Sequence, residues 1–218
     1  MCSIGPDCGG ERAESGLGEF GLKSFLLASG NAHKAEEFKE LFLGGLQVQA
    51  APQTLEVAET GKTFIENALI KARAYAEVYK VPTLADDSGL VIEALPHLLG
   101  VESARFAPEL PHYSDKCQKL IELMAGHTGA QRKAYFICVL CFYVSEEEVY
   151  FFEGRVHGTI GMELKGDKGF GYDPIFIPDR TPADGQSLAE LPEWKNEFSH
   201  RARAVQSSLE FFKETMDK

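Results

Sequence analysis

Nowhere in these 218 residues is there an apolar run long enough to span a membrane, and the N-terminal segment has no h-region of a secretory signal. Positive charge is scarce: 22 Lys and Arg stand against 33 Asp and Glu, a net charge of −11. A chain of that sign repels a phosphate backbone at long range, which argues against general nucleic-acid binding. A small phosphorylated ligand is still allowed, because a local cluster of Lys and Arg with a divalent cation reverses the field inside a cleft. Cysteine is limited to five, an odd number that makes no disulfide framework. Cys138 and Cys141 form one C-x-x-C inside the apolar run Ala134 to Val144. On a strand, positions three apart point to opposite faces, so this pair cannot share a metal. No second C-x-x-C exists, which leaves a zinc ribbon without ligands. The cysteines read as small buried hydrophobes in a reducing, cytoplasmic compartment. The Walker A pattern G-x-x-x-x-G-K is missing, and no internal repeat is visible.

What is present is ordinary for a globular protein with a proper core: 44% hydrophobic and 25% charged residues. The length suits one large domain or two lobes around a cleft. Residues 1–22, rich in Gly with mixed charges, read as a disordered N-terminal extension, leaving one domain over 23–218. From Lys23 the pattern alternates. Ser24 to Ala28 is a short buried strand, His33 to Phe42 has helical spacing, and Leu46 to Ala51 is a second strand. A long helix runs from about Thr63 to Tyr79, opened by the capping box Thr63-Phe-Ile-Glu66 and stopped by Pro82. A strand follows that ends on Asp86-Asp87. Further on come a helix over Ser114 to Met124 and two or three strands (Lys133–Val144, Glu148–Glu153, Arg155–Glu163). A glycine loop, a β-like Ile175 to Ile177 and a C-terminal helix from about Ser199 complete the chain. Helices alternating with strands early and consecutive strands later predict an α/β fold with a mixed central sheet and flanking helices.

The most informative stretch is Thr83-Leu-Ala-Asp-Asp-Ser-Gly-Leu-Val91. Two adjacent anions repel each other, so a hard cation or a proton-transfer task explains them better than folding does. A plain Asp-Ser-Gly turn is the alternative. Neighbouring strand residues point oppositely, so Asp86 and Asp87 do not both face a metal directly. Ser29-Gly-Asn-Ala-His-Lys34 lies between strand and helix, where backbone N–H groups and Lys34 seat a phosphate; a helix start capped by Asn31 is the simpler reading. On the long helix Asn67 and Lys71 share a face away from the buried stripe of Phe64, Ala68, Ala72, Tyr75 and Tyr79. In Gly166-Asp-Lys-Gly-Phe-Gly-Tyr-Asp173, glycines let the backbone approach a flat ligand and Phe170 offers a face to a base, unless the segment is simply a flexible hairpin loop. In Trp194 to Arg201, Ser199 as N-cap places His200 and Arg201 in a first helical turn, where cations are unfavourable without an anion beside them.

S-G-N-x-x-K, E-T-G-x-T-F-x-E-N-A-x-x-K-A, A-D-D-S-G-L, G-F-G-Y-D-P and K-N-x-x-S-H-R occur in that order. With them the chain resembles the inosine triphosphate pyrophosphatase (XTP/dITP diphosphatase) family over about residues 23–213. The resemblance implies a two-lobed homodimer that hydrolyses deaminated purine nucleoside triphosphates (XTP, ITP, dITP) to monophosphate and pyrophosphate with Mg2+. It implies Asp87 as proton acceptor and metal ligand and Glu59 as an acid near the metal. Ser29, Gly30, Asn31, Ala32, His33 and Lys34 fall on its triphosphate turn, Lys71 on a phosphate contact and Ser88 on a substrate contact. Phe170, Gly171, Tyr172, Asp173, Lys195, His200 and Arg201 match residues around base and sugar. Ala58 stands where many relatives carry a second acid, Ala202 where Gly is usual, and Leu99 and Glu102 where Pro and Tyr are commoner. The competing expectations are a pyrophosphatase for modified pyrimidine nucleotides and a purine nucleotide sensor that does not hydrolyse.

Overall fold

The computed structural model describes residues 24–182 and 184–216, so the expectation for residues 1–22 lies outside the described residues. In chain order the elements are β1 (Ser24–Ala28), α1 (Ala32–Leu41), β2 (Gln47–Ala50), α2 (Phe64–Tyr79) and β3 (Thr83–Ile92). A 3-10 helix (Gly100–Arg105) and α3 (Tyr113–Leu123) come next. They are followed by β4 (Lys133–Tyr143), β5 (Val149–Ile160), β6 (Phe176–Pro178), α4 (Pro192–Phe198) and α5 (His200–Met216). One sheet of order β2-β1-β3-β4-β5-β6 results, parallel among β2, β1 and β3 and antiparallel from β3 onward. It is the mixed α/β sheet that the alternation of apolar segments predicts.

The period-2 pattern of β4 divides the core. Cys138, Leu140 and Phe142 pack under α1 and α5 with Phe25, Phe38 and Phe212, while Ile137, Val139, Cys141 and Tyr143 pack under α2 with Ala68, Ala72 and Tyr75. The two cysteines therefore lie on opposite faces, both buried, and burial pushes both thiols up to about 12. β3, β4 and β5 run on past the short parallel strands into a third cluster built from Leu90, Ile92, Phe136, Val156 and Ile160 beneath α3. The long strands thus connect two regions of core, with a cleft between them beside β3.

Three expectations change. β3 does not end at Asp86-Asp87, because β4 pairs with every residue from Thr83 to Ile92 and carries the strand through the carboxylates. The strands expected over 148–163 are one strand, β5, because β4 pairs continuously from Val149 to Thr159. Gly154, which reads as a break, is instead where a helix approaches: a Cβ there would lie 2.1 Å from the His200 carbonyl oxygen and 2.6 Å from the Ala204 nitrogen. Helix α4 was not expected; Pro192 at its first turn fits a helix start.

The start of α5 is therefore seated on bare β5 backbone. Gly154→Ala is expected to destabilise the fold by about 1–3 kcal/mol through overpacking. It should also shift the α5 start that carries His200 and Arg201. Urea unfolding checks this; an unchanged midpoint would mean that α5 is not held by this contact.

Candidate active site

β1 pairs with β3 only as far as Ala28 against Ala85. Beyond that point the chain turns away into α1, and the stretch of β3 from Asp86 to Leu90 lines one cavity of about 690 Å³. Consecutive residues of β3 still point to opposite faces. Asp86 turns toward α1 and α5, where Lys34 Nζ donates to it at 2.8 Å and Ser88 Oγ at 2.7 Å. Asp87 turns toward α2 and accepts from Asn67 Nδ2 at 3.2 Å and the Ser88 amide at 3.0 Å. Lys71, one helical turn beyond Asn67, reaches under the strand to donate to the Asp86 carbonyl at 2.9 Å and pairs with Glu59 at 2.5 Å. Because the strand is unzipped here, side chains on opposite faces serve a single site.

The two carboxylates are 1% and 5% exposed, yet their charges are treated differently. Burial opposes ionisation of Asp86, but Lys34, Lys71 and Arg201 outweigh it and hold the carboxyl well below its usual range. Burial also raises Asp87; Lys71 offsets part of this and the neighbouring Asp86 charge adds to it, so the carboxyl is pushed up to about 6. One group is a fixed anion and the other a base poised for proton transfer near neutrality. For Lys71, burial works against the charge, and the Asp86 and Glu59 carboxylates reverse it and raise the ammonium above its ordinary range.

The other end of the cavity is built by the glycine loop and the start of α5. Ser199 caps α5 by accepting from the Ala202 amide at 3.2 Å. The cation mismatch at this helix start is resolved in two ways. Burial, followed by the charges of Arg201, Lys195 and Lys34, holds the His200 imidazole well below its usual range and so neutral. Arg201 pairs with Glu37 at 3.0 Å. His200 stacks on Phe136, and its Nδ1 and the Arg201 Nε are buried without a hydrogen-bond partner. Phe170 contacts the His33 ring (centroids 5.5 Å apart), the Lys195 ammonium (4.7 Å) and the Arg201 guanidinium (5.1 Å). Tyr172 donates to the Ser103 carbonyl at 2.7 Å and tethers the loop to the 3-10 helix.

Ser29, Gly30, Asn31, Lys34, Glu59, Lys71, Asp87, Ser88, Phe170, Gly171, Tyr172, Asp173, His200 and Arg201 all contribute to the cavity wall. Ala32, His33 and Lys195 do not. Ala32 is exposed on α1, His33 lies against Phe170, and Lys195 is buried behind that ring between Asp173 (2.8 Å) and Glu37 (2.5 Å). Asn31 does cap α1, accepting from the Lys34 amide at 3.2 Å, so the simpler reading of that turn and the ligand-facing one hold together. Of the loop glycines, Gly169 does not serve a ligand: at φ +74° a Cβ would lie 2.2 Å from the Asp173 carboxylate, which accepts from the Phe170 amide. Glu37 was missed; its signal was a carboxylate one turn after Lys34 on the same helix. Also missed were Arg105, Tyr113 and the irregular segment Thr54–Ala58. That segment is held over the cavity by Tyr75, whose hydroxyl accepts from the Leu55 amide at 2.8 Å.

The donor set can be tested against a magnesium ion. Among the described residues no three His, Cys, Asp or Glu side chains gather as a metal cage. Magnesium does not need one: it takes one or two carboxylates and completes its shell with water and substrate phosphate. Asp87 and Glu59 are two oxygen donors lining the same cavity, Lys71 pairs with Glu59 while its charge acts on Asp87, and the Asp87 charge is only partly compensated. These residues fit the ion.

The raised Asp87 carboxyl carries a stability consequence. The folded protein binds its proton more tightly than the unfolded chain does, so this contribution is present below about 4 and is lost as pH rises through about 6. In metal-free protein, Asp87→Asn is expected to be more stable than wild type at pH 8, on the order of 1–2 kcal/mol. The advantage should vanish by pH 4. Thermal unfolding across that range measures it, and a difference that does not vary with pH would contradict the burial of a charge that is only partly compensated.

With the geometry established, comparison with known proteins places the chain. A profile of the Ham1 family matches residues 25–211. A protein named dITP/XTP pyrophosphatase from Aquifex aeolicus is 42% identical over 199 residues, 86% of this chain and 96% of the relative. Another of that name from Listeria monocytogenes is 37% identical over 203 residues, covering 90% and 98%. Among solved structures, a HAM1 protein from Coxiella burnetii superposes with a TM-score of 0.77 at 38% identity, covering 88% of this chain and 98% of the other. The Staphylococcus aureus Ham1 protein gives 0.74 at 34% identity, covering 88% and 100%. Profile match, sequence identity and superposed fold agree, and the chain belongs to the Ham1 family.

Proposed function

We propose that this protein hydrolyses deaminated purine nucleoside triphosphates (dITP, ITP, XTP) to the monophosphate and pyrophosphate. The observation that carries the reading is the divided carboxylate pair: a fixed anion, Asp86, and a proton acceptor, Asp87, side by side on an unzipped strand edge and flanked by Lys34 and Lys71. The names of relatives at 37–42% identity support the substrate class. Lys34 and Lys71 bind the polyphosphate and stabilise charge that shifts between its oxygens during transfer. Asp87 takes the proton of the attacking water, and Asn67 orients the carboxylate. When bound, magnesium held by Asp87 and Glu59 supplies neutralisation of phosphate charge and acidification of water.

Base selection rests on His200 and Arg201, each of which has a buried polar atom without a partner. The Arg201 Nε–H can donate to a 6-oxo group and cannot accept from the 6-amino group of adenine. Adenine would leave this donor unpaired, and sites of this kind discriminate strongly. Assembly as a homodimer and a cytoplasmic location belong to the same proposal. The first is supported by the family resemblance, the second by buried, unpaired cysteines at 117, 138 and 141.

A pyrophosphate-release assay over dITP, XTP, ITP, dATP, dGTP and dCTP tests this reading. Turnover should be confined to the deaminated purines and abolished by chelator. Asp87→Asn should lose about a hundredfold or more in kcat with the fold retained. Arg201→Ala should lower the dITP to dATP ratio of kcat/KM by about tenfold or more. Preferred turnover of a pyrimidine, or binding of dITP without release of pyrophosphate, would overturn the reading.

A further inference from the structure

One cation on the cavity wall has no role in the account above. Arg105 ends the 3-10 helix Gly100–Arg105, and its side chain is 47% exposed, against 17% or less for Lys34, Lys71 and Arg201. Its guanidinium rests on two carboxylates. Nη1 meets both oxygens of Glu102 at 3.1 and 3.2 Å, and Nη2 meets Glu59 at 3.4 Å. Such exposed pairs hold weakly and are readily exchanged for a stronger anion. The backbone that carries Arg105 is, by contrast, fixed. Ser103 Oγ donates to the Gly100 carbonyl at 2.6 Å and accepts from the Leu90 amide at 3.0 Å, and Tyr172 holds the Ser103 carbonyl.

Position along the cavity gives this side chain a task. Arg201, His200 and Phe170 line the part of the cavity assigned to the base, and Asp86 and Asp87 the part assigned to the reacting phosphate. From the Asp86 carbonyl, which Lys71 holds, a chain of ion pairs runs through Lys71 and Glu59 to Arg105. Arg105 is thus the next cation along from Lys71, the side chain assigned to the polyphosphate, and is placed to meet phosphates that extend past it. Guanidinium matches phosphate oxygens in a two-pronged geometry that ammonium cannot reproduce.

We propose that Arg105 is a binding residue for the two outer phosphates, the part that leaves as pyrophosphate, and that Glu102 restrains it in the free protein. The proposal rests on the pyrophosphohydrolase reading and adds to it a residue and the group that residue binds. Glu102 competes with phosphate for the same guanidinium and so weakens binding of the leaving group.

Calorimetric titration with inorganic pyrophosphate and, separately, with dIMP, in magnesium-containing buffer, tests the proposal on wild type, Arg105→Ala, Arg105→Lys and Glu102→Gln. Arg105→Ala should weaken pyrophosphate binding by about tenfold or more while dIMP stays within about twofold. Arg105→Lys should recover only part of the loss, and Glu102→Gln should tighten pyrophosphate a few-fold. Unchanged pyrophosphate affinity in Arg105→Ala would overturn the proposal, as would equal weakening of both ligands together with a lowered Tm, the mark of a merely structural role. If wild type releases pyrophosphate from dITP and Arg105→Ala binds it normally, only the Arg105 inference falls. If wild type releases none, both readings fall.

Discussion

The site depends on a strand that loses its neighbour. β1 leaves the sheet after Ala28, so the β3 edge at Asp86 and Asp87 has no strand beside it, although β4 still holds the strand straight from the other side. Strand alternation then sends the two carboxylates in opposite directions and gives them different surroundings. Three cations fall within the field of Asp86, whereas the compensation of Asp87 is partial. A fixed charge and a movable proton thus arise from identical side chains one residue apart. In a fully paired strand the edge and its backbone carbonyl would be closed, and Lys71 could not reach the Asp86 carbonyl from the α2 side.

The rest of the fold holds ligands around that edge. The α2 capping box at Thr63 fixes the start of the helix that brings Asn67 and Lys71 to β3, and Asn67 also accepts from the Gly61 amide at 2.8 Å. One side chain thereby ties the turn before α2 to the Asp87 carboxylate. At the opposite end, the bare backbone at Gly154 lets α5 sit close to the sheet, and Glu37 on α1 gathers Lys195 and Arg201. Ser103 and Tyr172 join the base loop to the wall that bears Arg105. The geometry is carried by short, buried hydrogen bonds between elements that are distant in sequence.

That distance explains what could be read from the chain and what could not. The alternation in β4 and the capping box of α2 are local signals, and each appears in the structure where the sequence places it. The strand that seemed to stop at Asp86, and to break at Gly154, continues because a neighbouring strand pairs there, and composition does not register a partner. Gly169 looked like room for a ligand and is room for Asp173. Lys195, expected as a ligand contact, is ion-paired with Asp173 and Glu37 and lies against Phe170. Glu37 carries only a weak local signal, its place one turn after Lys34, and both Glu37 and Arg105 also pair with side chains 164 and 46 positions away.

The central claim is that two adjacent carboxyls are held in opposite protonation regimes before any ligand arrives. Carboxyl-carbon NMR titration of metal-free protein, with each aspartate assigned by substitution, measures this directly. The account predicts that Asp87 titrates near 6 while Asp86 stays ionised throughout the range in which the fold survives. Parallel titration of both groups near 4, or a higher value at Asp86 than at Asp87, would contradict it.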